Sequence, residues 1–187
     1  MRVIFLPTFW TIVLDCIMWT VFYFSIAFLC TRIPIGYLAK DRWLFRTRPW
    51  EQQGEIYHRL FGVRYWKKKL PSGGKIFGGF DMRSIASYEV PYLERWIIET
   101  RRSELCHWIL ILPSVLFFLW NPPEVGWGMI VYAILFNLPM IITQRHNRPR
   151  LQALLESVRS GAIPAGQPAK APADAAETAV QAGRRSQ

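Results

Sequence analysis

The chain has few charged residues for its length. They make up 19% of its 187 residues, against about 25% in average soluble domains, while hydrophobic residues make up 51%. Its three cysteines lack the spacing of a zinc site or a disulfide framework. No Ser-His-Asp arrangement, phosphate-binding glycine loop or dinucleotide fingerprint occurs. These absences argue against a disulfide-stapled, zinc-dependent or nucleotide-dependent protein, and the apolar composition favours a membrane protein.

Long apolar segments indicate membrane spans, since about 20 apolar residues cross the hydrocarbon core of a bilayer. We predict three spans, at about residues 3–29, 105–120 and 126–143. A cleaved signal peptide is the alternative for the first segment. Its length, Asp15 near its middle and the missing small-residue cleavage site before Cys30 favour a retained helix. The expected fold is an all-α membrane protein, with residues 1–159 forming one membrane-embedded domain.

Asp15 has two interpretations, because an ionisable residue inside a membrane is costly unless it faces the protein interior. It could be a polar contact near a ligand. The alternative, which we favour, is a neutral aspartic acid packed against another helix.

Prolines and polar composition divide the rest of the chain. Residues 31–90 interleave aromatic and basic side chains, which suits the interfacial layer of a membrane. Pro113 is expected to kink the second span, and Pro149 to end the third. A short surface helix is expected at 151–158, where large apolar residues recur at helical spacing. The Ala- and Pro-rich residues 160–187 are expected to be disordered.

The basic residues give the expected orientation. Net charge is +10, and residues 31–102 carry fifteen Lys or Arg against seven acids. The turn between the last two predicted spans, at 121–125, has no basic residue. The positive-inside rule places residues 31–102 and the C-terminus in the cytoplasm, and the N-terminus outside the cell membrane. The expected partner of these cations is an anionic lipid surface or a phosphorylated substrate, not nucleic acid.

Two polar motifs lie at the ends of the predicted hairpin. They are ETRRSELCHWIL (99–110) and QRHNRPR (144–150). At about 1.5 Å per residue, the first helix runs about 26 Å to the turn and the second returns about 29 Å. We therefore expect both motifs at one depth, at the cytoplasmic interface.

The motifs contain residue types that suit acyl transfer. Glu104 and His107 are one helical turn apart, so the carboxylate could hold one imidazole nitrogen and leave the other as a base. Amide and guanidinium groups suit a sugar, a carbonyl or a phosphate. The substrate-binding candidates are Arg101, Asn137, Gln144, Arg145, Asn147 and Arg148. The alternative is that these polar residues only anchor helix ends at the membrane surface. No metal or cofactor is implied, and Cys106 should not face His107, because adjacent helical residues point about 100° apart.

Four stretches of the chain resemble the glycosyl-4,4'-diaponeurosporenoate acyltransferases, small membrane enzymes of carotenoid biosynthesis. The stretches are TRIPIGYL (31–38), GVRYWKKKLPSGG (62–74), IIETRRSELCHW (97–108) and NLPMIITQRHNRPRL (137–151). The resemblance implies transfer of a fatty acyl group to a sugar hydroxyl of a glycosylated carotenoid, giving a product of the staphyloxanthin type.

Under this hypothesis, His107 deprotonates the sugar hydroxyl and Glu104 orients it. The alkoxide attacks the thioester of acyl-CoA, the expected donor. Arg101, Arg145 and Arg148 would hold the CoA phosphates or the developing oxyanion. One alternative is an acyltransferase for another glycolipid. The other is a non-catalytic membrane subunit that binds carotenoid or stabilises a larger complex.

The charge asymmetry predicts where reporters fused to the chain will lie. Fusions at Trp50 and at the C-terminus should both report the cytoplasm, because basic segments adjoin the spans at both places. Reporter activity in intact cells checks this. Opposite locations for the two fusions would contradict a three-span topology.

Overall fold

Helices account for all regular secondary structure in the described residues, 2–70, 80, 82 and 85–166 of a computed structural model. The α-helices are α1 (Thr8–Thr31), α2 (Ile35–Ala39), α3 (Glu55–Phe61), α4 (Val63–Trp66), α5 (Val90–Ile111) and α6 (Pro123–Arg159). Short 3-10 segments are Pro49–Gly54, Lys67–Lys69 and Leu112–Leu119. The all-α prediction is confirmed. The predicted tail lies mainly outside the described residues, from 167 onward.

Three helices are long and apolar enough to cross a membrane. They are Thr8–Thr31, Val90–Leu119 and Pro123–Arg159. Each contains one of the three predicted spans, apart from residues 3–7 of the first and residue 120 of the second. The chain is therefore a multi-pass membrane protein. Pro113 lies where α5 gives way to the 3-10 segment Leu112–Leu119, so a break in helical geometry occurs where the proline predicted one.

The helix α6 is longer than the sequence suggested. Pro149 does not end it, and residues 151–158 continue it instead of forming a separate surface helix. Their apolar side chains are buried, and the free energy gained from this burial offsets the cost of a proline inside the helix. Pro149 has no amide hydrogen to donate to the carbonyl of Arg145, four residues earlier.

Gly54 lies close to this point of α6. Its φ is +84°, and a Cβ atom placed there would lie 2.8 Å from the carbonyl oxygen of His146 and 3.1 Å from that of Arg145. Only glycine permits this backbone conformation together with so close an approach.

The chain divides into two compact units. The first comprises Met1–Ile33 and Arg102–Ile141, and the second comprises Pro34–Arg101 and Ile142–Gln187. The division falls within both α5 and α6, close to the predicted ends of the second and third spans at residues 105 and 143.

Polar contacts and stacked aromatic rings hold the first unit together. The buried carboxylate of Asp15 accepts hydrogen bonds from Trp120 Nε1 at 2.7 Å and Asn121 Nδ2 at 2.8 Å. Asp15 thus contacts the residues that follow the 3-10 segment Leu112–Leu119, while its neutral state stays a prediction. Trp19 stacks on Phe117, with ring centroids 4.8 Å apart.

An arginine completes the C-terminal end of α1. Arg102 Nη1 donates to the carbonyl oxygens of Cys30 at 2.7 Å and Ile33 at 2.8 Å, with Thr31 further away at 3.3 Å. The last carbonyls of a helix have no partner within it, and a cation there also interacts favourably with the helix dipole.

The core of the second unit joins the first half of α5 to the end of α6. Leu93, Trp96 and Ile97 pack with Leu154 and Val158 in one buried cluster. The helical spacing of apolar residues in 151–158 therefore marks a core face and not a surface helix. Truncating such a residue to alanine costs about 2–5 kcal/mol in a well-packed core.

A buried ion pair links two distant parts of the second unit. Arg145 Nη1 lies 2.8 Å from Glu51 Oε1, and Glu51 is 1% exposed. Glu51 also accepts hydrogen bonds from the backbone of Arg48 and from Tyr57. Burial and the neighbouring Glu51 charge raise the pKa of Tyr57 to about 12, although Arg145 opposes this shift.

The Tyr57 shift predicts a loss of stability at high pH. The folded pKa is about 12 and the unfolded value about 10. The contribution of Tyr57 to the free energy of unfolding is therefore complete below pH ~10 and falls as pH rises towards ~12. The thermal midpoint of the detergent-solubilised protein should drop more steeply from pH 9 to 11 than that of Tyr57→Phe, which cannot ionise. Parallel pH profiles would contradict the assignment.

The guanidinium group of Arg148 donates to two separate acceptors, which predicts that lysine cannot replace it without loss of stability. Arg148 is 1% exposed and donates to Thr100 Oγ1 at 3.0 Å and to the carbonyl of Phe45 at 2.9 Å. Lysine cannot reproduce this planar geometry, and each buried group left unsatisfied costs about 1–3 kcal/mol. Arg148→Lys should lower the thermal midpoint, while Arg159→Lys at an exposed position should change it little. Equal midpoints for both variants would count against this role.

Candidate functional site

An imidazole and an amide meet in the first unit. His107 on α5 is half-buried, and Asn137 on α6 is 3% exposed. Their Nδ1 and Oδ1 atoms are 2.8 Å apart, which is hydrogen-bond distance. Asn137 was among the residues expected to bind substrate. The structure thus brings together two candidates that lie 30 residues apart in the chain.

Glu104 is placed differently from its expected role. Its side chain is buried, with 0% exposure, and accepts a hydrogen bond from Trp108 Nε1 at 3.4 Å. The partner of His107 Nδ1 is an amide where we expected a carboxylate. Glu104 still lies one helical turn from His107 on α5, as the spacing predicted.

A cavity of about 280 Å³ borders Asn137 within the first unit. Five aromatic rings from α1 and α6 contribute to its lining. The lining residues are Trp19, Thr20, Tyr23, Phe24, Leu110, Tyr132, Phe136 and Asn137. Its volume suits a section of an apolar chain, since complete sites for small molecules usually enclose about 300–1,000 Å³.

The aromatic lining is the feature that sequence analysis missed. Trp19 and Tyr23 are four residues apart, as are Tyr132 and Phe136. Side chains at this spacing share a helix face, so the second pair, next to Asn137, could have suggested a lined surface. Uniformly apolar surroundings obscured the signal, because the same residues also suit lipid contact.

Cys106 has another cysteine as its neighbour. Its side chain lies close to that of Cys30 on α1, in the same unit. That Cys106 does not face His107 stays a prediction.

The three candidate arginines lie in the second unit and contact internal acceptors. Arg101 Nη1 donates to the carbonyls of Leu38 and Ala39, at the end of α2. Arg148 binds Thr100 and the carbonyl of Phe45, and Arg145 pairs with Glu51. The guanidinium groups of Arg101 and Arg148 lie 6.0 and 5.6 Å from the ring of Phe45. Through these contacts each arginine stabilises the second unit.

Two further candidates also belong to the second unit. Asn147 Oδ1 accepts a hydrogen bond from Lys67 Nζ at 2.9 Å, and Gln144 is largely buried. The candidates are therefore divided between the units, with Glu104, His107 and Asn137 in the first. That the two polar motifs share one depth in the membrane stays a prediction. Within the described part of the chain, no cluster of three His, Cys, Asp or Glu residues could hold a metal ion.

Comparison with known proteins identifies relatives across most of the chain. A family model described as glycosyl-4,4'-diaponeurosporenoate acyltransferase matches residues 41–157. The protein of that name from Staphylococcus aureus strain MRSA252 is 39% identical over 142 residues, which cover 75% of this chain and 86% of the relative. Those of strains USA300 and NCTC 8325 match with the same identity and coverage. No solved structure matches the chain.

The resemblance carried by the four sequence stretches is thereby confirmed. The family model covers more than half of the chain, and the identity extends over most of each relative. The chain belongs to the glycosyl-4,4'-diaponeurosporenoate acyltransferase family.

Proposed function

We propose that this membrane protein transfers a fatty acyl group to a sugar hydroxyl of a glycosylated carotenoid, a glycosyl-diaponeurosporenoate in the first instance. Family membership supports the reaction class. The observation that carries the site assignment is the hydrogen-bonded His107 and Asn137 pair beside an aromatic-lined cavity.

In this proposal His107 is the general base. Its imidazole takes the proton of the sugar hydroxyl as the oxygen attacks the thioester carbonyl of acyl-CoA. A tetrahedral intermediate forms, the carbon–sulfur bond breaks, and the leaving thiolate recovers the proton from the imidazolium. An ester bond forms, a thioester bond breaks, and no proton or electron is gained or lost. A positioned base of this kind contributes about 10²–10⁴-fold to the rate.

The cavity would hold part of the apolar chain of one substrate. Its lining includes Trp19 and Tyr23 from α1 and Tyr132 and Phe136 from α6. Flat aromatic rings suit the planar conjugated chain of a carotenoid as well as a flexible acyl chain. The volume accommodates a section of either, and the remainder would lie in the bilayer.

We assign the arginines a supporting role. Arg101, Arg145 and Arg148 donate to carbonyls or a carboxylate of the second unit. They would therefore shape the surface that meets the substrate headgroups more than bind phosphate directly. We keep Gln144 and Asn147 as substrate-binding candidates, because they lie on the same turns of α6 as Arg145 and Arg148. For the orientation, we propose an external N-terminus and a cytoplasmic C-terminus, as the basic residues suggest.

The reaction can be tested by pigment analysis. A host that makes the glycosylated carotenoid should accumulate its acyl ester only when it also expresses this chain. Mass spectrometry of the extracted pigments measures both species. Absence of the ester, with the protein inserted in the membrane, would contradict the acyltransferase proposal and favour a carotenoid-binding subunit.

The base assignment predicts a selective loss of activity. His107→Gln keeps a donor for Asn137 but has no basic nitrogen, so acylated product per unit of inserted protein should fall about 10²–10⁴-fold. His107→Ala should lose at least as much. His58→Ala, which removes an imidazole of the second unit, is the matched control and should retain product per protein. Wild-type yield from His107→Gln would exclude His107 as the base.

A further inference from the structure

The amide of Asn137 has a defined orientation. Its Nδ2 donates to the backbone carbonyl of Ala133 at 2.8 Å, four residues earlier on α6. Reversing the amide would set its oxygen against that carbonyl, bringing two acceptors together. The oxygen of Asn137 is therefore the atom that faces His107.

This orientation determines which nitrogen of His107 carries the proton. An amide oxygen can only accept a hydrogen bond, so His107 Nδ1 must be the donor across the 2.8 Å contact. A neutral imidazole has one N–H and one lone pair. The lone pair is then on Nε2, for which the described residues provide no hydrogen-bond partner. A base that removes a hydroxyl proton needs such an available lone pair.

We infer that Asn137 is a positioning residue that fixes the Nδ1–H tautomer of His107 and so makes Nε2 the basic nitrogen. The inference rests on the proposed acyl transfer, which requires His107 to act as a base. It replaces the expected role of Asn137 as a substrate ligand and the expected role of Glu104 as the orienting group.

The chemical character of this partner fits its surroundings. The cavity beside Asn137 is lined mainly by aromatic and aliphatic side chains. A carboxylate placed there would introduce a charge that is costly in an apolar, membrane-spanning region. An amide provides the same acceptor oxygen without a charge, and its second hydrogen bond to Ala133 keeps that oxygen directed at the ring.

The test combines a spectroscopic and a kinetic measurement on the full-length protein in lipid nanodiscs. Nitrogen NMR of histidine-labelled protein distinguishes a protonated ring nitrogen from one with a lone pair. The His107 signals are identified by their absence in His107→Gln. The wild type should show Nδ1 protonated and Nε2 unprotonated. Asn137→Ala should show a mixture of tautomers, and Asn137→Gln, which keeps an uncharged acceptor oxygen, should show more of the wild-type form.

The kinetic measurement uses the glycosylated carotenoid and acyl-CoA at varied concentrations. Asn137→Ala should lower kcat by about 10–100-fold with little change in KM, because a residual fraction of the correct tautomer still reacts. Asn121→Ala is the matched control. It removes another buried amide of the first unit, one that donates to Asp15, and should leave both the tautomer and kcat unchanged.

Each outcome decides the inference. It is overturned if wild-type His107 carries its proton on Nε2, or if Asn137→Ala keeps the wild-type tautomer. It is also overturned if Asn137→Ala raises KM at unchanged kcat, which is the pattern of a substrate ligand. If the wild type forms no ester, the proposed acyl transfer fails, while the nitrogen signals still decide whether Asn137 sets the tautomer.

Discussion

Backbone carbonyls outside regular hydrogen bonding need donors, and in this protein arginine side chains supply many of them. Arg102 binds the last carbonyls of α1 in the first unit. Arg101 does the same for α2 in the second, and Arg148 binds the carbonyl of Phe45. A guanidinium group has five N–H donors in one plane, so one side chain can satisfy several acceptors. An unsatisfied carbonyl in apolar surroundings is costly, and these contacts satisfy carbonyls at the end of α2 and in the irregular stretch 40–48 that follows it.

These arginines have a structural role that is distinct from the proposed chemistry. A cluster of arginines in a membrane enzyme suggests phosphate binding, and the sequence alone supports that interpretation. The structure shows that much of the positive charge in the two motifs serves the protein itself. The groups proposed to carry the reaction in the first unit are an imidazole and an amide, both uncharged in the proposed tautomer. Such a site suits a reaction at the border of an apolar cavity, where isolated charges are expensive.

The sequence predicts those features that depend on local properties. Spans follow from the length of apolar runs, and Pro113 marks a change in helical geometry because it lacks an amide hydrogen. The same reasoning was wrong at Pro149, where we expected the helix to end. Burial of Leu154 and its neighbours favours continuation of α6 past this proline. Helical spacing correctly placed Glu104 and His107 one turn apart. It could not show that the partner of His107 comes from α6, because contacts between helices depend on how they pack and not on the period of either one.

The close approach of Gly54 to α6 has a consequence for how this sequence can evolve. Most tight contacts between side chains can be relieved by a compensating change in the neighbour. Here a side chain at position 54 would meet the backbone oxygens of Arg145 and His146, which every amino acid possesses. No substitution at those two positions removes the obstacle. Position 54 is therefore expected to be constrained independently of its neighbours, and a loss of glycine there could be rescued only by moving the chain itself.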